Sequence, residues 1–386
     1  MRIGIDNIST GLSTGRSTIG GMRHYLSDLL TWLSREAPQH ELILFQPTWA
    51  DRLDLDSDVR VEVRRCRGVP GWRPGRVFYE QAAYSRIVNR SGVDVFLATN
   101  NILPGQLRTP SVLVMQSLQY FDYPEVYSAG AGVYLRTWAL RSLRKAAKVI
   151  VLSAASRDIV CARAGVTEDE VRVIYHAIPS HVAIADAKSS GAPIPESIAR
   201  VVGTRPYILS VSSFYWQKNL ARLIEGFAVA KKRHALPHVL ILAGQATAKV
   251  TRENLEGVAR GCGVDDSVVF AGFVPDAVVP ILYRNAAASA MVSLSETFGL
   301  PVLEAMSLAC PVVTSNRGAM SEVAGDAAVL VDPYDINSIA TGIAQTVLDE
   351  EARRAMVARG IDRARAFSQE RRAKCYLDVL EEVAHA

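Results

Sequence analysis

Apolar, β-branched runs recur along the chain, and stretches of helical periodicity lie between most of them. RIGID (2–6), ELILF (41–45), VDVFLA (93–98), SVLVM (111–115), KVIVLS (148–153) and VRVIY (171–175) occupy the first part. YILSVS (207–212), HVLILA (238–243), SVVFAG (267–272), SAMVS (289–293), PVVT (311–314) and AVLV (328–331) occupy the second. Several are apolar on both alternations, as strands are when helices cover both faces of a parallel sheet. Residues 133–147 illustrate the intervening pattern: Leu135, Trp138, Ala139, Leu143 and Ala146 make one apolar stripe, with Arg136, Arg141 and Arg144 off it. Strand and helix signals in alternation predict an α/β fold with doubly wound sheets.

The regularity breaks at 179–205, which holds three prolines and two glycines and reads as a connection between two domains. The expected domains are 1–185 and 200–366. A final amphipathic helix within 367–386 carries Tyr376, Leu377, Leu380 and Val383 on one side. Composition agrees with two globular domains: 386 residues, 49% hydrophobic and 21% charged. A formal net charge of +4 is too small to argue for nucleic acid. Five cysteines, scattered without CxxC or His-rich spacing, make neither a zinc pattern nor a disulfide framework and suit a reducing cytoplasm. With a strand starting at Arg2, no secretory leader is expected. No apolar run reaches about 18 residues, the length a membrane-spanning helix needs.

Three loop-to-helix junctions carry candidate chemistry. In LSETFGLPVLEAM (294–306), Glu296 follows a predicted strand, Pro301 suits the first turn of a helix, and Glu304 is expected in that first turn. Both carboxylates can then face the crevice where doubly wound sheets bind ligands. There, carboxylates accept hydrogen bonds from vicinal sugar hydroxyls and a helix N-terminus attracts phosphate. The alternative is that Glu304 only complements the helix dipole and Glu296 is solvated. Lys218, in SVSSFYWQKNLARLIEGF (210–227), stands after a strand and before a helix, either as a phosphate partner or as a surface lysine. Gly20 and Gly21 follow a polar loop and open a helix, so that a ligand can approach the backbone closely unless the loop is only a flexible connection. No GxGxxG follows the first strand, which disfavours a nicotinamide-dependent dehydrogenase.

The segment 267–334, with FGLP and EAM in register between Glu296 and Glu304 and with PVVTSNRGAMSEV after them, closely resembles the signature region of retaining glycosyltransferases of family 4. Weaker likeness runs through KNL (218–220), VIVLSAASRDIV (149–160) and GG (20–21). The resemblance implies a GT-B fold: two Rossmann-like domains facing a central cleft, the last helix crossing back to the first. A nucleotide-diphosphate sugar would be the donor, with no cofactor and no metal. Glu296 would bind the sugar hydroxyls and Glu304 the ribose. The N–H groups of Phe298, Gly299 and Leu300, with Lys218, would hold the diphosphate, and Gly20 and Gly21 would close over it. The backbone near Val274 would meet the base. A DxD-like DLD (54–56) lies away from these segments. Retention would proceed on one face of the sugar, the departing phosphate taking the acceptor's proton.

Two departures from the family pattern mark the other side of the site. Gln116 stands where many relatives have a histidine, and Ser212 and Ser213 stand where many have an arginine, leaving Lys218 as the clear cation. An amide still exchanges hydrogen bonds with hydroxyls. His24 and His176 are spare candidates that also suit packing or surface roles. The acceptor side is expected in the first domain. There, residues 59–81 carry six arginines: Arg60, Arg64 and Arg65 on or beside a strand, and Arg67, Arg73 and Arg76 in a loop with Trp72. That stretch is either a solvated basic surface or a dock for an anionic membrane face or lipid-pyrophosphate acceptor. Asn100 and Asn101 end a strand as turn residues or as hydroxyl binders. The expected activity is hexosyl transfer of mannose, rhamnose or glucose type in polysaccharide or glycolipid assembly, at the cytoplasmic side. The rivals are an inactive scaffold relative and a nucleotide-sugar epimerase of the same fold.

Overall fold

A computed structural model describes residues 1–8, 20–51, 53, 55–127, 129–183 and 193–386. The loop ahead of Gly20, Asp54 of DLD, and 184–192 of the expected connection, including the expected domain end at 185, lie outside the described residues. The chain forms two compact units: Met1–Ala177 with Gln369–Ala386, and Ile178–Ser368.

The first unit is built on a parallel sheet of β1 (Arg2–Asp6), β2 (Glu41–Pro47), β3 (Val61–Cys66), β4 (Val95–Ala98), β5 (Ser111–Met115), β6 (Lys148–Val151) and β7 (Val171–Val173). Its order is β3-β2-β1-β4-β5-β6-β7. Ile3, Ile5, Phe96, Leu97, Val112 and Leu113 are fully buried, on both alternations, as expected for a sheet covered on both faces. The chain steps outward from β1 to β3, then returns to the other side of β1 as β4. The switch point, where ligands bind beyond the carboxyl ends of such strands, therefore lies between β1 and β4. No apolar run announces β3. It is an edge strand whose Glu62, Arg64 and Arg65 break the pattern, and charge on an edge discourages stray pairing. Flanking helices include α1 (Gly20–Glu36), α2 (Arg73–Tyr79) and α3 (Ala129–Lys145). Arg73 and Arg76 thus belong to a helix rather than to the expected loop, because Pro74 fits a first turn. A π turn, Glu80–Tyr84, follows α2 directly and runs into the short helix Ser85–Asn89. The final helix, Gln369–Ala384, buries Tyr376, Leu380 and Val383, and the Tyr376 hydroxyl lies 2.9 Å from that of Tyr25 on α1.

The second unit holds β8 (Tyr207–Val211), β9 (Val239–Ala243), β10 (Val268–Gly272), β11 (Ala288–Met291), β12 (Val312–Ser315) and β13 (Val329–Val331). These parallel strands run in the order β10-β9-β8-β11-β12-β13, which places a second switch point between β8 and β11. Its helices include α4 (Leu220–His234), α5 (Leu300–Ser307) and α6 (Gly318–Ala324). The expected connection contains a helix, Glu196–Val202, with Ile198 and Val202 buried; the prolines before it mask its period. Beyond β8 and β9 the backbones converge. At Gly244 (φ +153°) an added Cβ would sit 1.9 Å from the Ser212 carbonyl oxygen, so no side chain fits there. Among the described residues no helix is long and apolar enough to cross a membrane.

Candidate active site

In the second unit the candidate residues gather at the β8/β11 switch point. After β8 the chain makes a 3-10 turn, Trp216–Lys218, and then Asn219 adopts the left-handed conformation (φ 58°, ψ 33°) before α4 begins. The Asn219 side chain is buried and gives two hydrogen bonds from Nδ2, to the Val292 carbonyl beyond β11 (3.1 Å) and to the Pro333 carbonyl beyond β13 (2.7 Å). The Leu294 N–H donates to the Gln217 carbonyl at 2.8 Å. These bonds staple the loop after β8 to the loop after β11. In consequence Lys218 Nζ and Glu296 Oε1 stand 2.7 Å apart as an ion pair, with side chains only 15% and 12% exposed. Among the described residues Glu296 Oε1 makes no hydrogen bond of good geometry besides that ionic contact.

Gly299 caps α5 at φ 103°, ψ 50°, a conformation that favours glycine, and an added Cβ would meet Met320 Sδ at 2.8 Å. The N–H groups of Gly299 and Leu300 have no hydrogen-bond partner among the described residues. Helix starts leave such donors free, and an anion satisfies them. Phe298 offers only backbone to a ligand, because its ring is buried edge-on to Phe367 at 5.9 Å. Glu304 is the fifth residue of α5, in the second turn rather than the first. The helix starts at Leu300, and no acidic residue lies in its first turn. The dipole account of Glu304 therefore falls. It is half-buried beside Tyr283, whose hydroxyl donates to the Pro301 carbonyl (3.4 Å). Burial first, then the Glu304 charge, pushes the Tyr283 phenol well above its ordinary pKa.

Other positions in this unit take supporting places. Ser213 is half-buried, and its carbonyl accepts from the Tyr215 N–H at 2.8 Å. Val274 follows β10 in a half-buried stretch, next to Phe273, which is 67% exposed. Lys218 is not the sole cation. Arg222, on the first turn of α4, donates from Nη1 to Asn219 Oδ1 (3.2 Å) and lies 5.5 Å from the centre of the Tyr334 ring. Arg317, from the loop after β12, lies 5.0 Å from the same ring, and its Nε is 3.9 Å from Asp332. Sequence reading overlooked Asn219, Arg222, Arg317 and Tyr334. The available signals were the KN pair at a helix start and the Arg-Gly step that opens α6.

In the first unit, Gly20 and Gly21 begin α1, and a Cβ at Gly21 would meet nothing within 4 Å. Gln116 follows β5, and its N–H and that of Ser117 donate to Asn101 Oδ1 (2.8 and 3.0 Å). Asn101 (φ 57°) is thus a turn residue whose side chain shapes the Gln116 loop. The Gln116 side chain neighbours Tyr25, which also has the Arg372 guanidinium 5.3 Å from its ring centre. His176 packs edge-on to Tyr25 at 5.3 Å. Burial, then the charge of Arg372, lowers its pKa to about 3, so it serves packing as a neutral ring. Three of the six arginines in 59–81 are engaged within the unit. Arg64 pairs with Glu62 (2.9 Å), Arg65 donates to the carbonyls of Pro47 and Ala50 (3.1 and 2.7 Å), and Arg76 lies 4.0 Å from Glu80. Trp72 and Phe78, by contrast, are 66% and 73% exposed.

Two family models match the chain. One, described as "Glycosyl transferases group 1", covers residues 196–363; the other, "Glycosyltransferase Family 4", covers 19–181. O-antigen chain mannosyltransferase B of Escherichia coli is 28% identical over 283 residues, which is 72% of this chain and 71% of that relative. An uncharacterized glycosyltransferase of Methanocaldococcus jannaschii is 31% identical over 211 residues, about half of each protein (54% and 53%). Among solved structures, sucrose-phosphate synthase from Thermosynechococcus elongatus aligns over 99% of this chain and 98% of its own, with a TM-score of 0.75 at 21% identity. WaaG, a glycosyltransferase involved in lipopolysaccharide biosynthesis, aligns over 98% and 99%, with a TM-score of 0.70 at 15% identity. At such identities the likeness speaks to fold: two parallel-sheet α/β domains of the GT-B kind.

Proposed function

Because the chain belongs to the family 4 glycosyltransferases, we infer that it moves a hexose of mannose, rhamnose or glucose type from a nucleotide-diphosphate sugar to a polysaccharide, glycolipid or lipid-linked acceptor, with retention and without a metal. The observation that carries this reading is the Lys218–Glu296 pair, 2.7 Å apart at the switch point of the second sheet, with the unpartnered N–H groups of Gly299 and Leu300 three residues on. Breaking the bond between the sugar's anomeric carbon and phosphate develops charge on the departing diphosphate. Fixed N–H dipoles and an ammonium aimed at that charge stabilise it without reorganisation. Lys218, with the N–H groups of Gly299 and Leu300, takes this role, and Arg222 and Arg317 add positive potential nearby. Glu296 accepts hydrogen bonds from the transferred sugar's hydroxyls, and Glu304 from the ribose. The acceptor oxygen bonds to the anomeric carbon on the face the phosphate leaves, and the acceptor proton passes to the phosphate oxygen. Gln116 supplies hydrogen bonds but no proton transfer, and Val274 lies near the base.

The mannosyltransferase among the relatives makes mannose the first sugar to try. The exposed Trp72 and Phe78, with Arg60 and Arg67 exposed on the same stretch, support peripheral contact with an anionic membrane at the cytoplasmic face. The test is a thermal-shift panel of GDP, UDP and dTDP, followed by turnover of GDP-mannose, UDP-glucose and dTDP-rhamnose with and without EDTA. Stabilisation by one nucleotide, with EDTA-insensitive turnover of its sugar, is expected. No shift with any nucleotide sinks the donor-site reading, and loss of turnover in EDTA sinks the metal-independent one. Co-sedimentation with phosphatidylglycerol vesicles, abolished in Trp72→Ala/Phe78→Ser, tests the membrane contact.

A further inference from the structure

A second group of buried polar side chains lies in the first unit and takes no part in the donor chemistry. Asp6, at the carboxyl end of β1, is 2% exposed and well satisfied: Oδ1 accepts from the Ile8 N–H (2.9 Å) and from the Tyr84 hydroxyl (3.0 Å). Glu80 comes from the π turn after α2 and neighbours both Asp6 and Tyr84. It is 9% exposed, yet its carboxylate makes no hydrogen bond among the described residues. Among the described residues its ion-pair partner is Arg76, at 4.0 Å. Beside it, Gln81 Oε1 and the Tyr134 hydroxyl are also buried; they neighbour each other, and neither makes a hydrogen bond of good geometry among the described residues. A buried carboxyl without hydrogen bonds destabilises a fold, as does a π turn in place of an α turn, and both persist mostly where a ligand uses them. Strand order adds the location, because β1 borders β4 at the switch point of this sheet.

We propose that Glu80, backed by Asp6 and Tyr84, is the hydroxyl-recognition residue for the sugar acceptor in the first unit. This rests on the glycosyltransferase reading above and extends it to the acceptor. Burial, then the Asp6 charge, raises the Glu80 pKa to about 8, against a smaller opposite pull from Arg76. The carboxyl is therefore mainly protonated at neutral pH and offers one donor and one acceptor, the pair a sugar hydroxyl complements. The thiol and phenols around it keep their protons in that range. Cys66 of β3 and Tyr79 of α2 are each raised to about 12, as is Tyr134 of α3, and Tyr84 lies well above its ordinary value.

The test uses the full chain, octyl α-D-mannopyranoside, octyl glucoside and octyl rhamnoside as acceptor probes, and two variants. Binding is read by saturation-transfer NMR with the nucleotide present, and KM and kcat by turnover. Wild-type affinity for the preferred probe falls about tenfold between pH 7 and pH 9. Glu80→Gln, which keeps a donor and an acceptor but cannot ionise, binds within threefold of wild type at pH 7 and lacks the alkaline decline. Glu80→Ala raises acceptor KM at least tenfold, with kcat within threefold and the nucleotide thermal shift unchanged. An alkaline decline shared by wild type and Glu80→Gln overturns the proposal; so do its absence from wild type and failure of every probe to bind wild type. A normal nucleotide shift beside any of these results leaves the donor reading standing, while absence of that shift counts against the donor reading itself. If Glu80→Ala does not fold, the Glu80→Gln pH profile alone decides.

Discussion

Asn219→Ala tests whether one buried amide holds the loops of the candidate site together. The substitution removes both Nδ2 donors, to the carbonyls of Val292 (3.1 Å) and Pro333 (2.7 Å), and the acceptor for Arg222 (3.2 Å). A neutral hydrogen bond contributes about 1 kcal/mol net, and a carbonyl left buried without a donor costs about 1–3 kcal/mol. The residue also sits at φ 58°, where alanine is worse than glycine by about 1 kcal/mol. Together these place the loss at roughly 3–5 kcal/mol in the second unit. Asn219→Gly should recover about 1 kcal/mol of it by relieving the backbone alone. Hydrogen exchange over 216–224 and 292–299, with urea unfolding, measures both. Donor KM should rise in both variants, because Lys218 and Glu296 lose their fixed spacing. If both variants unfold within about 0.5 kcal/mol of the parent, the staple is not what sets the 2.7 Å pair.

Gly299→Ala should cost about 2–4 kcal/mol through left-handed strain and the close approach to Met320 Sδ; a melting temperature unchanged from wild type contradicts it. Glu304→Ala should weaken nucleotide binding about ten- to a hundredfold through lost ribose hydrogen bonds, whereas Glu296→Ala should lower kcat more than affinity; calorimetry and kinetics showing equal losses in both variants contradict that division. The raised pKa of Glu80, about 8 against an ordinary 4.5, means that the folded chain keeps a proton the unfolded chain loses. Stability contributed by this group therefore declines as pH climbs from 4.5 to 8 and levels off above, by at most about 5 kcal/mol. Glu80→Gln should remove that slope in urea unfolding followed by the first unit's Trp32, Trp49, Trp72 and Trp138; parallel curves for variant and wild type refute it.

The sheets were legible because parallel strands buried on both faces leave runs such as VLILA and VIVL that nothing else in the chain imitates. β3 left no such run, since Arg64 and Arg65 on an edge erase its alternation, and it was legible only as a strand on or beside Arg60, Arg64 and Arg65. The helix Glu196–Val202 vanished among prolines for a similar reason. Glu296, Lys218 and the Gly299 turn were visible through local sequence. Asn219 was not recognised, because what it does is reach carbonyls 73 and 114 residues away, and no local pattern encodes such a bond. Glu80 was hidden by its company: a glutamate in an arginine-rich stretch looks like surface until the sheet order sets it beside Asp6. Glu304 was misplaced by a single residue, enough to move it from the first turn into the second, since Pro301 fits the second helical position as well as the first.

Lys218 and Glu296 are each other's counter-ion while no donor is bound. The pair is therefore neutral as a unit, and on the proposed reading free inorganic diphosphate would strip the ammonium from its carboxylate and leave that carboxylate bare. A nucleotide sugar bound as proposed would not incur this penalty: its diphosphate would take the lysine as its hexose hydroxyls took the glutamate. On that reading the pair would work as a two-key lock, open only to a molecule that carries anion and sugar at a fixed separation. Free diphosphate and phosphate would compete poorly at such a site.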